Sequence, residues 1–145
     1  ALGGRRPEPS APVATAGLGP GGLGRGIHDR CRGARVLAVG SPPGRAARAL
    51  DRGAEEVRDP GDGARERLRE LTGGRGVDRA LDCSGAVAAH RLCIDATRRR
   101  GQVAFVGECG EDTPLRVSAD MIRKGLTLVG SWHYNLRHME KIGRA

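Results

Sequence analysis

The stretch Gly17-Leu18-Gly19-Pro20-Gly21-Gly22 sets glycines at the spacing G-x-G-x-x-G, behind the apolar run Val13–Ala16. Glycines so placed can cradle a pyrophosphate. The first makes a tight turn, the second leaves bare backbone facing the anion, and the third lets a helix approach a strand closely. The N-terminus of that helix then offers its free N–H groups. In a chain with 24 glycines, the spacing alone does not separate such a cradle from a glycine-rich turn.

A second chemically informative place follows the next apolar run, at Val39-Gly40-Ser41-Pro42-Pro43-Gly44-Arg45. A carboxylate at the end of such a strand grips the ribose 2′-hydroxyl of NAD, and none is present. Gly40 leaves room, Ser41 offers a hydroxyl and Arg45 can neutralise a 2′-phosphate. These features favour NADP over NAD. The plain alternative is a strand-to-helix turn beside an ordinary surface arginine.

Other reactive side chains do not assemble. Cys31, Cys83, Cys93 and Cys109 lie far apart with no Cys-x-x-Cys, which suggests a reducing compartment and no cysteine-rich zinc site. His28 and Cys31 are three apart, and His133 and His138 five apart, each pair without further ligands nearby. Zinc sites need three or four converging donors, so structural or solvent roles are expected for these histidines. No catalytic residue and no metal site is assigned within the chain.

The net charge of +8 comes almost wholly from arginine, with Lys124 and Lys141 the only lysines. The arginines are scattered, with one triplet at Arg98-Arg99-Arg100. Phe105, Trp132 and Tyr134 are the only aromatics, so the basic stretches lack the stacking residues that single-strand binders use. A nucleic-acid partner is therefore disfavoured. No apolar run reaches membrane-spanning length and no leader opens the chain, so a cytoplasmic location without a membrane partner is expected. The first residue is Ala1 rather than Met, consistent with a piece of something longer.

The elements that must position these residues are short apolar runs alternating with helix-compatible stretches. Strands are expected at Val13–Ala16, Ala34–Val39, Glu56–Asp59, Arg79–Cys83, Gln102–Val106 and Leu126–Val129. Helices are expected at Gly22–Arg32, Gly44–Arg52, Gly63–Leu71 and Val87–Arg100. Continuous apolar runs suit strands buried on both faces. The alternation predicts an α/β fold, a doubly wound six-stranded parallel sheet in three α/β/α layers. Residues 1–12 read as a lead-in, 13–135 as one domain, and 136–145 as a tail or truncated C-terminal helix. The first helix has a thin apolar stripe, Leu23, Ile27 and Cys31. Gly24 and Gly26 each weaken it by about 1 kcal/mol relative to alanine.

Seven segments in order resemble the cofactor domain of medium-chain, zinc-type alcohol and polyol dehydrogenases. They are Gly17-Leu18-Gly19-Pro20, Gly33-Ala34-Arg35-Val36, Gly53-Ala54-Glu55-Glu56-Val57, Leu71–Asp78, Leu81-Asp82-Cys83-Ser84-Gly85-Ala86, Gly101–Glu108 and Leu126–Tyr134. The resemblance implies a Rossmann sheet holding NADP or NAD. Contacts would come from Gly17 to Gly22, the turn after strand two, Cys83-Ser84 on the adenine side, and Val106-Gly107-Glu108 near the nicotinamide. Arg45 matches a basic position that touches the adenosine ribose, and Gly40 looks like NADP-using members.

The resemblance further implies hydride transfer between the nicotinamide and an alcohol, polyol or carbonyl substrate. The catalytic zinc is expected only in a separate domain absent from these residues, which leaves this chain alone inactive. It also implies a homodimer paired through Leu126–Val129, beside the alternative of a last strand with no partner. A non-catalytic NAD(P)-binding regulatory module is the rival reading, and a basic nucleic-acid binder on the same scaffold a weaker one.

Overall fold

The computed structural model describes residues 11–31, 33–41, 43–61 and 63–132. The expected lead-in up to residue 10, the tail at 136–145, the pair His133 and His138, and the His28 side chain lie outside the described residues. Six strands alternate with four helices: β1 Pro12–Ala16, α1 Pro20–Cys31, β2 Arg35–Val39, α2 Pro43–Asp51, β3 Glu56–Arg58, α3 Ala64–Glu70, β4 Val77–Asp82, α4 Val87–Ala96, β5 Thr97–Phe105 and β6 Thr127–Gly130. A π-helical turn, Val117–Ile122, precedes β6. All neighbouring strands run parallel, in the order β3-β2-β1-β4-β5-β6. This is the doubly wound six-stranded sheet expected from the alternation.

Side-chain alternation along the strands divides the core in two. Ala14, Ala16, Leu37, Val39, Val77, Ala80 and Val103 turn to one face, where Ala64 and Leu68 of α3 and Ala89, Cys93 and Ile94 of α4 cover them. On the other face Ala38 meets Leu18 and Ala49, with Leu23, Ala46, Ala54 and Val57 around them. That second core is thin, and it lies under α1 and α2. The helix α1 nevertheless runs its full length, because it sits close against the sheet. A Cβ on Gly26 would touch Val36 Cγ1 at 3.5 Å, while one on Gly24 would meet nothing. Cys31, expected on the apolar stripe, is exposed. The stripe ends at Ile27.

The fourth expected helix, Val87–Arg100, is corrected: it stops at Ala96. Thr97 takes extended backbone, pairs with Val77 and donates its hydroxyl to Cys93 O at 2.6 Å. Arginine favours helices, but Arg98 is drawn to the Asp78 carboxylate, and Arg100 adopts a left-handed φ of 58° with its N–H on Lys124 O at 2.7 Å. Sheet pairing and these contacts outweigh local propensity. The π-helical turn had no sequence signal. It is tied down by Asp120, which accepts from Arg91 Nη1 at 2.8 Å and from the Arg116 backbone N–H at 2.9 Å. Lys124 Nζ caps the last turn of α4 by donating to Ile94 O at 2.6 Å. Among the described residues no helix is long and apolar enough to cross a membrane.

Acid sensitivity follows from two of these carboxylates. The Arg67 guanidinium holds Glu56 down to about 2 from its ordinary 4.5, helped by Arg58 and opposed by burial. Arg91, with help from Arg116, likewise lowers Asp120. Because both are depressed in the folded state, their stabilisation is full above the ordinary carboxylate range and drains away as pH falls from 4.5 towards 2. Urea midpoints measured between pH 6 and pH 2.5 should fall steeply below about pH 4.5. Glu56→Gln should start lower and fall less. A parallel profile for the variant would remove Glu56 from the account.

Candidate functional site

The carboxyl ends of the strands finish almost flush, because the residue after each strand continues the ladder. Gly17 N donates to Val39 O, Gly40 N to Arg58 O and Cys83 N to Ala16 O, all at 2.8 Å. Val106 N and Ser131 N donate to Asp82 O and Phe105 O at 2.9 Å. Between β1 and β4 the chain departs to opposite faces, α1 to one side and α4 to the other. A crevice opens at that switch point, where ligands of such sheets bind. Its volume is ≈ 600 Å³, and its walls carry Gly17, Leu18, Gly19, Gly40, Ser41, Arg45, Cys83 and Ser84, together with Ala86 and Leu92.

The three glycines of the G-x-G-x-x-G spacing differ in what surrounds them. Gly17 has φ +94°, and a Cβ there would lie 2.9 Å from Ser84 N and from the Cys83 carbonyl carbon. Only glycine takes that turn without strain. A Cβ on Gly22 would land on the Gly17 carbonyl, 2.9 Å from its carbon and nearer still to its oxygen. The helix therefore sits directly on the turn. Gly19 is the opposite: a Cβ there meets nothing within 4 Å, and the residue faces the crevice. The fold places no packing demand on Gly19, and a ligand in the crevice would meet bare backbone there.

Pro20 opens α1, where its missing N–H is harmless. Leu23 N closes the first helical bond on Gly19 O at 3.0 Å. The first turn carries no acidic residue, so the N–H groups of Gly21 and Gly22 and the positive end of the helix dipole are open to an anion. These residues fit a dinucleotide pyrophosphate.

At the end of β2, the room left by Gly40 is claimed by a neighbour. A Cβ there would lie 2.5 Å from Leu18 Cγ, so Leu18 fills the space that the missing side chain leaves. The polar features of this corner come from Ser41 and Arg45, both exposed and both on the crevice wall.

Sequence reasoning passed over Asp82, a fully buried carboxylate at the end of β4. Its Oδ1 accepts from Ser84 N at 3.0 Å and Ser84 Oγ at 2.7 Å, and its Oδ2 accepts from Gly85 N at 3.1 Å. His90 of α4, also buried, brings Nε2 to 3.2 Å of the same Oδ2 and Nδ1 to 2.6 Å of Thr113 Oγ1. The Phe105 ring meets the imidazole edge-on, with centroids 5.0 Å apart. The signal was a carboxylate inside an otherwise apolar run, where burial demands several hydrogen bonds.

Val106, Gly107 and Glu108 stand on the next loop and do not line the crevice. They lock against the Ser84-Gly85 turn. A Cβ on Gly107 would lie 2.7 Å from Ser84 N, and Gly85, with φ +71°, has its own Cβ direction blocked by Glu108, 2.7 Å from the carbonyl carbon. The two loops therefore hold one another in register, with Asp82 beneath both. The four cysteines are free thiols. Burial, chiefly, pushes the Cys93 thiol up, so it stays protonated. Among the described residues no three His, Cys, Asp or Glu side chains gather where they could hold a metal ion.

The family model described as zinc-binding dehydrogenase matches residues 30–143. A zinc-type alcohol dehydrogenase-like protein of Escherichia coli is 38% identical over 135 residues, covering 89% of this chain and 37% of that protein. The NADP-dependent isopropanol dehydrogenase of Thermoanaerobacter brockii is 35% identical over 112 residues, covering 76% of this chain and 32% of that one. Among solved structures, an alcohol dehydrogenase from Thermotoga maritima matches with a TM-score of 0.84 at 27% identity, over 93% of this chain and 40% of the other. The chain thus spans 37% or less of the length of these curated relatives.

Proposed function

The chain belongs to the zinc-binding dehydrogenase family, and from that premise we propose that it is the NAD(P)-holding domain of an alcohol or polyol dehydrogenase. The observation that carries the reading is Gly19: bare backbone facing a crevice, with no packing reason to be bare. The loop Gly17–Gly22 and the first N–H groups of α1 bind and neutralise the pyrophosphate. Ser41 and Arg45 take the adenosine ribose. Cys83 and Ser84 line the adenine side, and Val106, Gly107 and Glu108, outside the crevice wall, act near the nicotinamide by holding the Ser84-Gly85 turn. When bound, the nicotinamide supplies a hydride donor and acceptor for an alcohol–carbonyl pair. The chain's own residues orient that ring and hold it in place.

The cofactor proposed is NADP in preference to NAD. No carboxylate follows β2, Arg45 is exposed there, and the T. brockii relative is NADP-dependent by name. Zinc chemistry is assigned to a part of the protein outside this chain, so these residues alone would be inactive. The far edge of β6 has no strand beside it among the described residues, and pairing with a second copy would cover it. The rival reading, a regulatory NAD(P)-binding module without catalysis, shares the same site.

Titration of the intact protein with NADPH and NADH, followed by nicotinamide fluorescence, tests this. Saturation by NADPH at lower concentration than NADH is expected. No saturable signal with either removes the reading, and tighter NADH binding reverses the preference. Alcohol-dependent reduction of NADP by the intact protein separates the dehydrogenase from the regulatory module.

A further inference from the structure

The segment that leaves β5 is held near both its ends, and one histidine links the two ties. At its start Val106 N and Gly107 N donate to Asp82 O at 2.9 and 3.2 Å. Further on, Thr113 Oγ1 lies 2.6 Å from His90 Nδ1, and Pro114 O accepts from Arg91 Nη1 at 3.1 Å. Between these ties Glu108, Gly110, Glu111 and Asp112 are exposed. Residues 106–114 therefore form a strap across α4, fastened at the strand ends and again at consecutive residues of the helix.

The buried imidazole of His90 stands between strap and crevice. Its Nε2 lies 3.2 Å from Asp82 Oδ2. A lone pair turned to a buried carboxylate would repel it, so in the neutral ring Nε2 carries the hydrogen and Nδ1 accepts from the Thr113 hydroxyl. The Nε2 contact is not aligned as a hydrogen bond. Among the described residues the Thr113 hydroxyl is thus the polar group that fixes the rotation of the ring, with Phe105 supporting it edge-on. Asp82 in turn holds Ser84 N, Ser84 Oγ and Gly85 N, and Ser84 stands on the crevice wall. A continuous path runs from the strap to the crevice through Thr113, His90, Asp82 and Ser84.

We propose that Thr113 is a positioning residue for the crevice: by bonding His90 it sets the imidazole against Asp82 and so couples the 106–114 strap to the Ser84-Gly85 turn. This role rests on the reading of the crevice as a dinucleotide site and extends that site beyond the residues that line it. The coupling is reciprocal. A dinucleotide that steadies the wall also steadies the strap, and loss of the Thr113 hydroxyl weakens the dinucleotide. Thr113 is half-buried, and valine keeps the shape of its side chain while removing the hydroxyl.

The test compares the intact protein as wild type, Thr113→Val, Thr113→Ser and His90→Phe by NADPH titration, urea unfolding and amide hydrogen exchange. Thr113→Val should weaken NADPH binding about threefold to tenfold, and Thr113→Ser should stay within about twofold of wild type. Without ligand, exchange at Ser84 and Gly85 should be faster in Thr113→Val and restored in Thr113→Ser. Bound NADPH should slow exchange at 109–113 in wild type and far less in Thr113→Val. In the His90→Phe background Thr113→Val should add nothing further; if His90→Phe does not fold, the valine and serine variants decide alone. A lowered urea midpoint in Thr113→Val with unchanged NADPH binding and unchanged exchange at Ser84 and Gly85 marks an ordinary structural bond and overturns the proposal. Equal weakening by Thr113→Ser does the same. A wild type that binds neither NADPH nor NADH removes the dinucleotide reading and this role together, whereas a binding wild type with an unaffected Thr113→Val removes this role alone.

Discussion

Gly22→Ala is expected to weaken dinucleotide binding by up to about a hundredfold and to destabilise the fold by about 1–3 kcal/mol. The added methyl would land on the Gly17 carbonyl, 2.9 Å from its carbon and closer to its oxygen. Neither partner can step aside as a flexible side chain would. Gly17 is fixed at φ +94° against Ser84 and Cys83, and its N–H is tied to Val39 O at 2.8 Å. The helix must move instead, and the N–H groups of its first turn move with it. Alanine's better helix propensity returns about 1 kcal/mol, too little to offset the displacement.

Gly19→Ala provides the contrast. Its methyl meets nothing within 4 Å, so urea midpoints should match wild type while cofactor binding still falls. A Gly22→Ala protein that bound nicotinamide normally would show that the helix contact does not position the anion site. A Gly19→Ala protein that bound normally would remove the observation on which the proposed function stands.

Asp82→Ala is expected to destabilise the fold by about 1–3 kcal/mol. The carboxylate is fully buried and serves Ser84 N, Ser84 Oγ and Gly85 N, with His90 Nε2 at 3.2 Å. Truncation removes the acceptor these groups share, and those turned away from water carry a penalty. The consequence reaches the crevice, because Cys83 and Ser84 form its wall and the Gly85 turn is locked to the 106–108 loop. Denaturation midpoints should fall at unchanged slope, and nicotinamide fluorescence should report weaker binding even at denaturant concentrations where the variant is fully folded. Equal stability of Asp82→Ala and wild type would mean that water replaces the carboxylate.

The strand positions were legible because a parallel strand covered on both faces must be apolar throughout. Ala14, Ala16, Leu37, Val39, Ala80 and Val103 all proved to be core. The α4–β5 junction was not legible. Thr97–Arg100 has helix-compatible residues, and only the Arg98–Asp78 pair and the Val77–Thr97 register pull it into the sheet. Asp82 and His90 were equally hidden, since neither type nor spacing links a strand-end aspartate to a histidine eight residues on in a helix. Gly40 was read as room for a phosphate, yet its nearest claimant is Leu18 of the glycine loop.

The sequence by itself determined the alternation of strand and helix, the place of the glycine loop at the first strand–helix turn, and the lack of a carboxylate after β2. Those are local properties, carried by apolar runs, glycine and the identity of single residues. Only the tertiary structure decided what each glycine is for and which polar groups share a partner. Gly17, Gly19 and Gly22 are alike in composition, and they differ only in what lies across from each: Ser84, open crevice, and the Gly17 carbonyl. A groove between α1 and α2 has the same origin. Leu18, Ile27 and Arg48 line that one groove because parallel pairing of β1 and β2 sets their helices side by side, a neighbourhood that no local pattern encodes.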